Sequence, residues 1–286
     1  MNNEQIIIIG AGPAGIGAAV QLAHFGYDPL LIEKDTIGGL LRNAGSIQNF
    51  PGIPYGISGI EFIEILKKHL DKKNIKVIKS HIHKIDFNNH FSLFSDNDSF
   101  TAHRLIIATG TQPISYTFKD VLYEVYPIRE VENKTIAIIG AGDAAFDYAN
   151  TLLSKNKVLI LNRSLQIKAN KTLSNEVMSK KNLVYMKNVS IETLQKNEFG
   201  LKLILNNNEL LEVDYVIAAI GRNRVVPNVS ENIEKAKEYL QIEKKLLFIG
   251  DVKNKNVRQS SISIGEGVKA AMEIDMAIQE KEHARN

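Results

Sequence analysis

The chain has 286 residues, 44% of them apolar and 23% charged, so it can bury a large core and is not expected to be disordered. Its net charge of +3, with 35 Lys and Arg scattered along the chain, is too mild for a nucleic-acid binder and agrees only loosely with an acidic protein partner. Cysteine is absent, which excludes disulfides, thiolate catalysis and cysteine-ligated metals and agrees with a cytoplasmic setting.

The N-terminus, "MNNEQIIIIGAGPAG", has no basic leader and no cleavage site, and its apolar run enters a glycine turn instead of continuing. No stretch approaches the roughly 20 apolar residues of a membrane helix, so the sequence predicts no membrane segment and a cytoplasmic protein. Residues 5–9 read as a strand, 13–25 as a helix and 28–33 as a strand, a βαβ unit. Residues 35–57, rich in Gly, Asn, Pro and Ser, read as a long loop. Ser58 and Glu61 form a capping box, and Ile60, Ile63, Leu66 and Leu70 line one face of the helix that follows. Short strands are predicted near 75–79, 81–87, 91–95 and 100–104, and "LIIATG" (105–110) is a buried strand ending in glycine.

After a polar connection at 111–134 a second βαβ unit begins, with a strand at 136–139, a helix near 143–154 and a strand at 157–162. Strands near 183–186, 201–205 and 210–213 repeat the small antiparallel element, and "DYVIAAIG" (214–221) repeats "RLIIATG". The second half therefore echoes the first, an internal duplication. A strand at 246–251 and a last helix from about Arg258 to Glu280 have no third unit to serve and are assigned back to the first domain. The predicted fold is α/β: two Rossmann-like, three-layer ββα dinucleotide-binding domains, one inserted in the other. The outer domain comprises 1–112 and 225–286, and the inserted one 113–224.

A strand that feeds a helix through G-x-G-x-x-G sets backbone N–H groups and a helix N-terminus against a pyrophosphate. Gly10 allows the tight turn, Gly12 lets the backbone approach the phosphate, and Gly15 lets helix pack on strand; Pro13 and Ala14 complete the turn. Glu33 closes the next strand, where an acid hydrogen-bonds ribose hydroxyls. In the second copy Gly140, Gly142, Asp143 and Ala144 open the helix and Ala145 stands for the third glycine. Glu33 lies 23 positions after Gly10, and the residue 23 positions after Gly140 is Arg163. An acid there would repel a 2′-phosphate, whereas an arginine accommodates one. Ser164 and Lys168 add to that site. The first site thus suits FAD or NAD, and the second NADPH, with NADH possible. The plain alternative is that Arg163 is a solvent-facing charge at a strand end. Two dinucleotides imply hydride transfer between nicotinamide and flavin, in which the cofactors carry the chemistry. A helix N-terminus near 257–265, with Arg258 and Gln259 as donors, is the candidate to stabilise charge on the reduced flavin; its alternative is a plain amphipathic helix.

The motifs "GAGPAG", "GGLLRNAGSIQNFPG" (38–52), "IIATG" (106–110), "GAGDAA", "LFIGD" (247–251) and "RQ" (258–259) stand in the order of the thioredoxin reductase-like flavoproteins, which the chain resembles over nearly its whole length. The resemblance implies FAD contacts at Gly10 to Gly15, Glu33, Lys34, Gly39, Leu40, Leu41, Asn49, Ile82 (backbone), Thr109, Gly110, Asp251, Arg258, Gln259 and Ser260. It also implies a homodimer and a hinge. The family's Cys-x-x-Cys falls here on "YEVY" (123–126), so the chain is not a dithiol thioredoxin reductase. Its His-Arg-Arg phosphate motif is "NRS" (162–164), Leu40 replaces a Gln, and "GRNRVVPN" (221–228) is longer than the usual Gly-x-x-Pro-Asn. "GAGDAAFDYA" (140–149) resembles the cysteine-less thioredoxin reductase-like ferredoxin–NADP reductases, although the C-terminal extension usual there is missing.

His81 and His83 alternate along the predicted strand and read as a half-exposed sheet face, not as metal ligands. Tyr123 and Tyr126 either pack the domain connection or stack near the flavin. No catalytic side chain is identified. The expected function is an FAD-dependent NAD(P)H oxidoreductase whose electrons pass to an external acceptor, foremost a ferredoxin- or flavodoxin-type carrier. The alternatives are reduction of an external disulfide or a small molecule such as a quinone or O2, and a non-catalytic flavin-binding sensor or assembly protein.

Overall fold

A computed structural model describes residues 5–285. The α-helices among them are, in chain order, α1 (Pro13–His24), α2 (Gly59–Lys72), α3 (Asp143–Leu152), α4 (Lys171–Met178), α5 (Glu231–Ile242) and α6 (Ser260–Arg285). The chain forms two compact units. Unit 1 comprises the described residues up to Arg42, Ser46–Gln112 and those from Arg224 onward; unit 2 comprises Asn43–Gly45 and Pro113–Asn223.

Unit 1 is built on a five-stranded parallel sheet in the order Leu246–Phe248, Arg104–Ile107, Ile6–Ile9, Leu30–Glu33, Val77–Lys79. Its central strands are buried at every position because both faces are covered, and apolar but for Arg104 at the start of one of them. Successive side chains alternate between faces. Ile7, Ile9, Ile32, Leu105 and Ile107 pack on the antiparallel layer that carries Ile85, Phe91 and Leu93. The opposite face receives α1, which lies along α6. That crossing is close because both helices are small where they meet: a Cβ on Gly267 would stand 2.2 Å from the Ala14 carbonyl oxygen. Ser58 caps α2 by accepting from the Glu61 N–H, and the Glu61 carboxylate accepts from the Ser58 N–H, the predicted capping box.

Unit 2 repeats the plan with a four-stranded parallel sheet, Leu183–Lys187, Lys157–Asn162, Thr135–Ile139, Tyr215–Ala218. Ile136, Ile138, Val158 and Ile160 pack against Phe146 of α3 and Val177 of α4. Ala137, Leu159 and Leu161 face the antiparallel strands Ile191–Asn197, Gly200–Leu205 and Leu210–Val213. Both units are Rossmann-like, three-layer ββα folds, as the sequence predicts.

Several elements differ from expectation. The strand predicted at 81–87 begins only at Lys84, and 81–83 is irregular extended chain, with the His83 N–H bonded to the Phe94 carbonyl. The 35–57 loop contains a 3-10 turn at Gly39–Asn43. The run 100–110 breaks at His103 into strands Ser99–Ala102 and Arg104–Ile107. Only Leu246–Phe248 of "LLFIGD" is strand, because Gly250, at φ +68°, turns the chain into a 3-10 helix. α4 and the strand Ile191–Asn197 have no counterpart in the sequence reading; their mixed polarity hides a single buried stripe.

Candidate functional site

In unit 1 the first glycine turn takes its shape from backbone crowding. Gly10 sits at φ +106°, and a Cβ there would stand 2.3 Å from the Ala108 carbonyl oxygen. A Cβ on Gly15 would meet the Gly10 carbonyl oxygen at 1.9 Å, so the helix starts directly on the turn. Gly12 is different: it is the N-cap of α1 at φ −79°, and no atom lies within 4 Å of a Cβ placed on it. No side chain caps α1 and its first turn holds no acid, which leaves a positive helix end beside open space.

Other predicted residues gather around this turn. The Glu33 carboxylate accepts from the Ala11 N–H (2.7 Å) and the Asp35 N–H (2.9 Å), which ties the end of the second strand to the glycine loop. Gly38 donates to the Ala11 carbonyl (2.7 Å), and a Cβ on Gly39 would lie 3.5 Å from Gly12 Cα. Leu41 is buried behind this loop, and Leu40 is half-buried. A cavity of about 270 Å³ opens between the strand ends; Gly10, Glu33, Lys34, Ile82 and Thr109 line one side of it. Gly110, at φ +65°, is likewise open. Opposite, Gly250 lies against Ala14, and the Ser263 hydroxyl donates to Asp251 (3.4 Å). Arg258 Nε donates to the Asn254 carbonyl (3.4 Å), Gln259 accepts from the Ser263 N–H, and Ser260 is the first residue of α6. Asn254 Nδ2 is buried beside them with no partner. Asn49 is exposed in an irregular stretch.

In unit 2, Gly140 repeats Gly10 at φ +127°, with a Cβ that would stand 2.4 Å from the Ala219 carbonyl oxygen, and Gly142 repeats Gly12 as an open N-cap. The segment after the second strand folds back on this turn: Lys168 and Ala169 donate to the Ala141 carbonyl, and Asn170 donates to Asp143 Oδ1 (2.7 Å). That bond turns the Asp143 carboxylate toward Asn170, while Ala144 is exposed beside it. Buried Asn162 holds the following loop: its Nδ2 donates to the Gln166 carbonyl and its Oδ1 accepts from the Ser164 N–H and hydroxyl. Sequence reasoning missed Asn162 and Asn170, although "NRS" contains the first. Arg163 and Lys168 are exposed, and neither is ion-paired among the described residues.

Unit 2 also holds a titratable cluster. Burial pushes the Asp147 carboxyl on α3 up to about 6, against the opposing effect of the Gly45 N–H. Burial likewise pushes the neighbouring Tyr148 hydroxyl up to about 12. Arg222 pairs with Glu124 at 3.7 Å. Tyr123 accepts from the Tyr116 N–H and, partly buried, packs against the cluster that holds Leu159, Leu161 and Leu203, so it belongs to the packing of unit 2. Tyr126 lies under the Arg129 guanidinium, 4.9 Å from the ring centre. His83 pairs with Asp96 (3.6 Å), and no group of three or more potential metal ligands exists among the described residues.

Sequence comparison places these features among known proteins. The family described as pyridine nucleotide-disulphide oxidoreductase matches residues 4–267. The chain is 29% identical to a thioredoxin reductase of Buchnera aphidicola subsp. Acyrthosiphon pisum, over 97% of this chain and 98% of that protein. It is 27% identical to the thioredoxin reductase of Escherichia coli O157:H7, over 96% and 95% of the two chains. The crystal structure of Lactococcus lactis thioredoxin reductase in its FR conformation superposes with a TM-score of 0.84 at 20% identity, covering 97% of this chain and all (100%) of that one.

Proposed function

This chain belongs to the pyridine nucleotide-disulphide oxidoreductase family and is a thioredoxin reductase-like oxidoreductase without cysteine, and from that premise we propose that it is an FAD-dependent NAD(P)H oxidoreductase with an external electron acceptor. Unit 1 would hold FAD and unit 2 the nicotinamide donor. The observation that carries the reading is the charge contrast at matched positions: Glu33 ends the strand after the first glycine turn, and Arg163 directly follows the strand after the second. The residues of unit 1 fit a flavin dinucleotide. Gly12 and Gly110 leave open backbone where a diphosphate and a ring would approach, and Asn254 Nδ2 is a buried donor lacking an acceptor.

When bound, FAD supplies the hydride-accepting chemistry and passes the electrons on. The chain's own residues bind and orient. The α1 N-terminus and the Gly12 N–H would take the diphosphate, Glu33 the ribose, and the Ile82 backbone the adenine edge. Leu40, Leu41, Asn49, Thr109, Asp251, Gln259 and Ser260 would line the remainder. In unit 2 the Gly142 turn would take the second diphosphate, with Arg163, Ser164 and Lys168 on the 2′-phosphate. The acceptor is proposed to be a ferredoxin- or flavodoxin-type carrier, because no thiol exists in the chain to relay electrons to a disulfide. A homodimer and a cytoplasmic setting belong to the same proposal; no helix among the described residues is long and apolar enough to cross a membrane.

Anaerobic stopped-flow of the flavin-loaded protein tests the reading. NADPH bleaches the flavin within seconds, and Arg163→Ala lowers the preference for NADPH over NADH about tenfold. Failure of both nicotinamides to bleach the flavin overturns it. Reoxidation by ferredoxin, flavodoxin, quinones and low-molecular-weight disulfides then ranks the acceptors.

A further inference from the structure

The cavity beside the first glycine turn has a second wall that neither the glycine motif nor the acid accounts for. Gly10, Glu33, Lys34 and Thr109 form one side, and the other side is the return segment Val225, Val226, Pro227 and Asn228, where the chain re-enters unit 1. Three more residues stand between Gly221 and Pro227 than the Gly-x-x-Pro-Asn pattern allows. The structure shows where the extra chain goes.

Both ends of the segment are fastened to opposite lips of the cavity. At its start, the Thr109 hydroxyl donates to the Val225 carbonyl, and the Val225 N–H donates to the Gly110 carbonyl (3.2 Å). At its end, the Asn228 N–H donates to the His83 carbonyl (2.9 Å), and Asn228–Val229 pairs in parallel with Lys84 and Ile85. The segment thus spans from the strand end that carries Thr109 to the strand that follows Ile82. Between the fastenings Pro227 is buried, while Val226 leaves 46% of its surface exposed at the cavity. Because Val226 lines the cavity, a ligand seated there would cover that apolar surface. The cavity, at about 270 Å³, falls just below the roughly 300–1,000 Å³ range of sites for whole ligands, and so suits one nucleoside portion of a dinucleotide.

We propose that Val225–Asn228 is the closing wall of an adenosine site, with Val226 covering the adenine face, so that seating of this segment and binding of the adenosine half of the cofactor are one coupled event. The proposal rests on the reading that unit 1 binds a flavin dinucleotide. It adds a determinant outside the glycine turn: affinity for the adenosine half depends on the chain's second entry into the unit.

The test uses the full chain, stripped of flavin and titrated with FAD and, separately, with ADP, which carries the adenosine half alone. Val226→Asp places a charge at the exposed position and is expected to weaken both ligands about tenfold, and Val226→Ala to weaken both by two- to threefold. Hydrogen exchange on the wild-type chain is expected to slow at the amides of 225, 226, 228 and 229 when ADP is added. Unchanged affinity in both variants, or exchange at these amides indifferent to ADP, overturns the proposal. A wild-type chain that binds FAD with a Val226→Asp variant that binds it equally well refutes the wall alone. A wild-type chain that binds neither FAD nor ADP refutes the flavin reading on which the wall rests.

Discussion

The two glycine turns make a prediction that separates folding from binding within a single motif. Gly10 and Gly12 lie two positions apart and are commonly treated as one signature, but an added methyl group meets different surroundings at each. At Gly10 the backbone is at φ +106°, which costs a residue with a Cβ about 1–3 kcal/mol, and the new carbon stands 2.3 Å from the Ala108 carbonyl oxygen. Relief needs a backbone shift of about 1–3 kcal/mol more. At some 2–4 °C per kcal/mol for a unit of this size, Gly10→Ala lowers the melting temperature of the unloaded protein by roughly 5–20 °C. Gly12, at φ −79° and ψ −177°, is in a region open to any residue and has nothing within 4 Å. There the lost N-cap preference of about 1 kcal/mol is offset by the reduced unfolded-state entropy of alanine, about 0.4–1 kcal/mol. Gly12→Ala therefore keeps the melting temperature but blocks the approach to backbone N–H groups, each worth about 1.5–3 kcal/mol to a charged phosphate, roughly ten- to a hundredfold in affinity. Gly140 and Gly142 repeat the pair, with a contact of 2.4 Å at Gly140 and open space at Gly142. Thermal unfolding of the stripped chain, flavin content and titration with NADPH read the four variants. The expected pattern is loss of flavin alone in Gly12→Ala and loss of nicotinamide binding alone in Gly142→Ala. A Gly12→Ala protein with wild-type flavin affinity, or a Gly142→Ala protein that sheds its flavin, refutes the reasoning.

Other variants test single features. The Asp147 carboxyl has a folded value of about 6 against 3.8, so the folded chain binds its proton more tightly, and stability falls as pH rises from about 4 to 6 and is level above. Asp147→Asn removes a penalty of at most about 3 kcal/mol, raising stability above pH 6 and flattening that window in urea titrations; parallel profiles for the two proteins would refute the assignment. Gly267→Ala puts a carbon 2.2 Å from the Ala14 carbonyl oxygen and is expected to cost about 1–3 kcal/mol by separating α6 from α1, with a lower denaturation midpoint as readout. Ser58→Ala removes the hydroxyl that accepts from the Glu61 N–H while leaving the backbone N–H that donates to the Glu61 carboxylate, and costs about 1 kcal/mol in the same assay.

The glycine turns, the two βαβ cores and the capping box could be read from the sequence because each depends on a local rule: apolar runs, fixed glycine offsets, Ser-x-x-Glu. The elements that escaped depend on non-local facts. The irregular chain at 81–83 reads as strand because alternation continues through it, yet its hydrogen bonds go to Phe94 and Asn228, distant in sequence. Asn162 looked like a lost histidine and is in fact the buried anchor of the loop that bears Arg163. The role of the extra residues in 221–228 could be recognised as a departure in length, but only their two fastenings place them beside the cavity.

The disulfide of the thioredoxin reductase-like pattern would fall at 123–126, and each residue there has a structural task instead. Tyr123 accepts the Tyr116 N–H at 2.9 Å, Glu124 pairs with Arg222, Val125 is buried, and the Tyr126 N–H donates to Asn43. Restoring the motif by Tyr123→Cys and Tyr126→Cys would therefore not recover a relay at no cost. Loss of the Tyr123 ring leaves a void in the core and an unpaired Tyr116 N–H, a destabilisation of about 3 kcal/mol or more. The double variant is expected to melt lower than the parent and to show no gain in reduction of a protein disulfide, measured with thioredoxin as acceptor. A stable double variant that reduces thioredoxin would mean that the surroundings of a dithiol relay survive intact in this chain and only the sulfur atoms are missing.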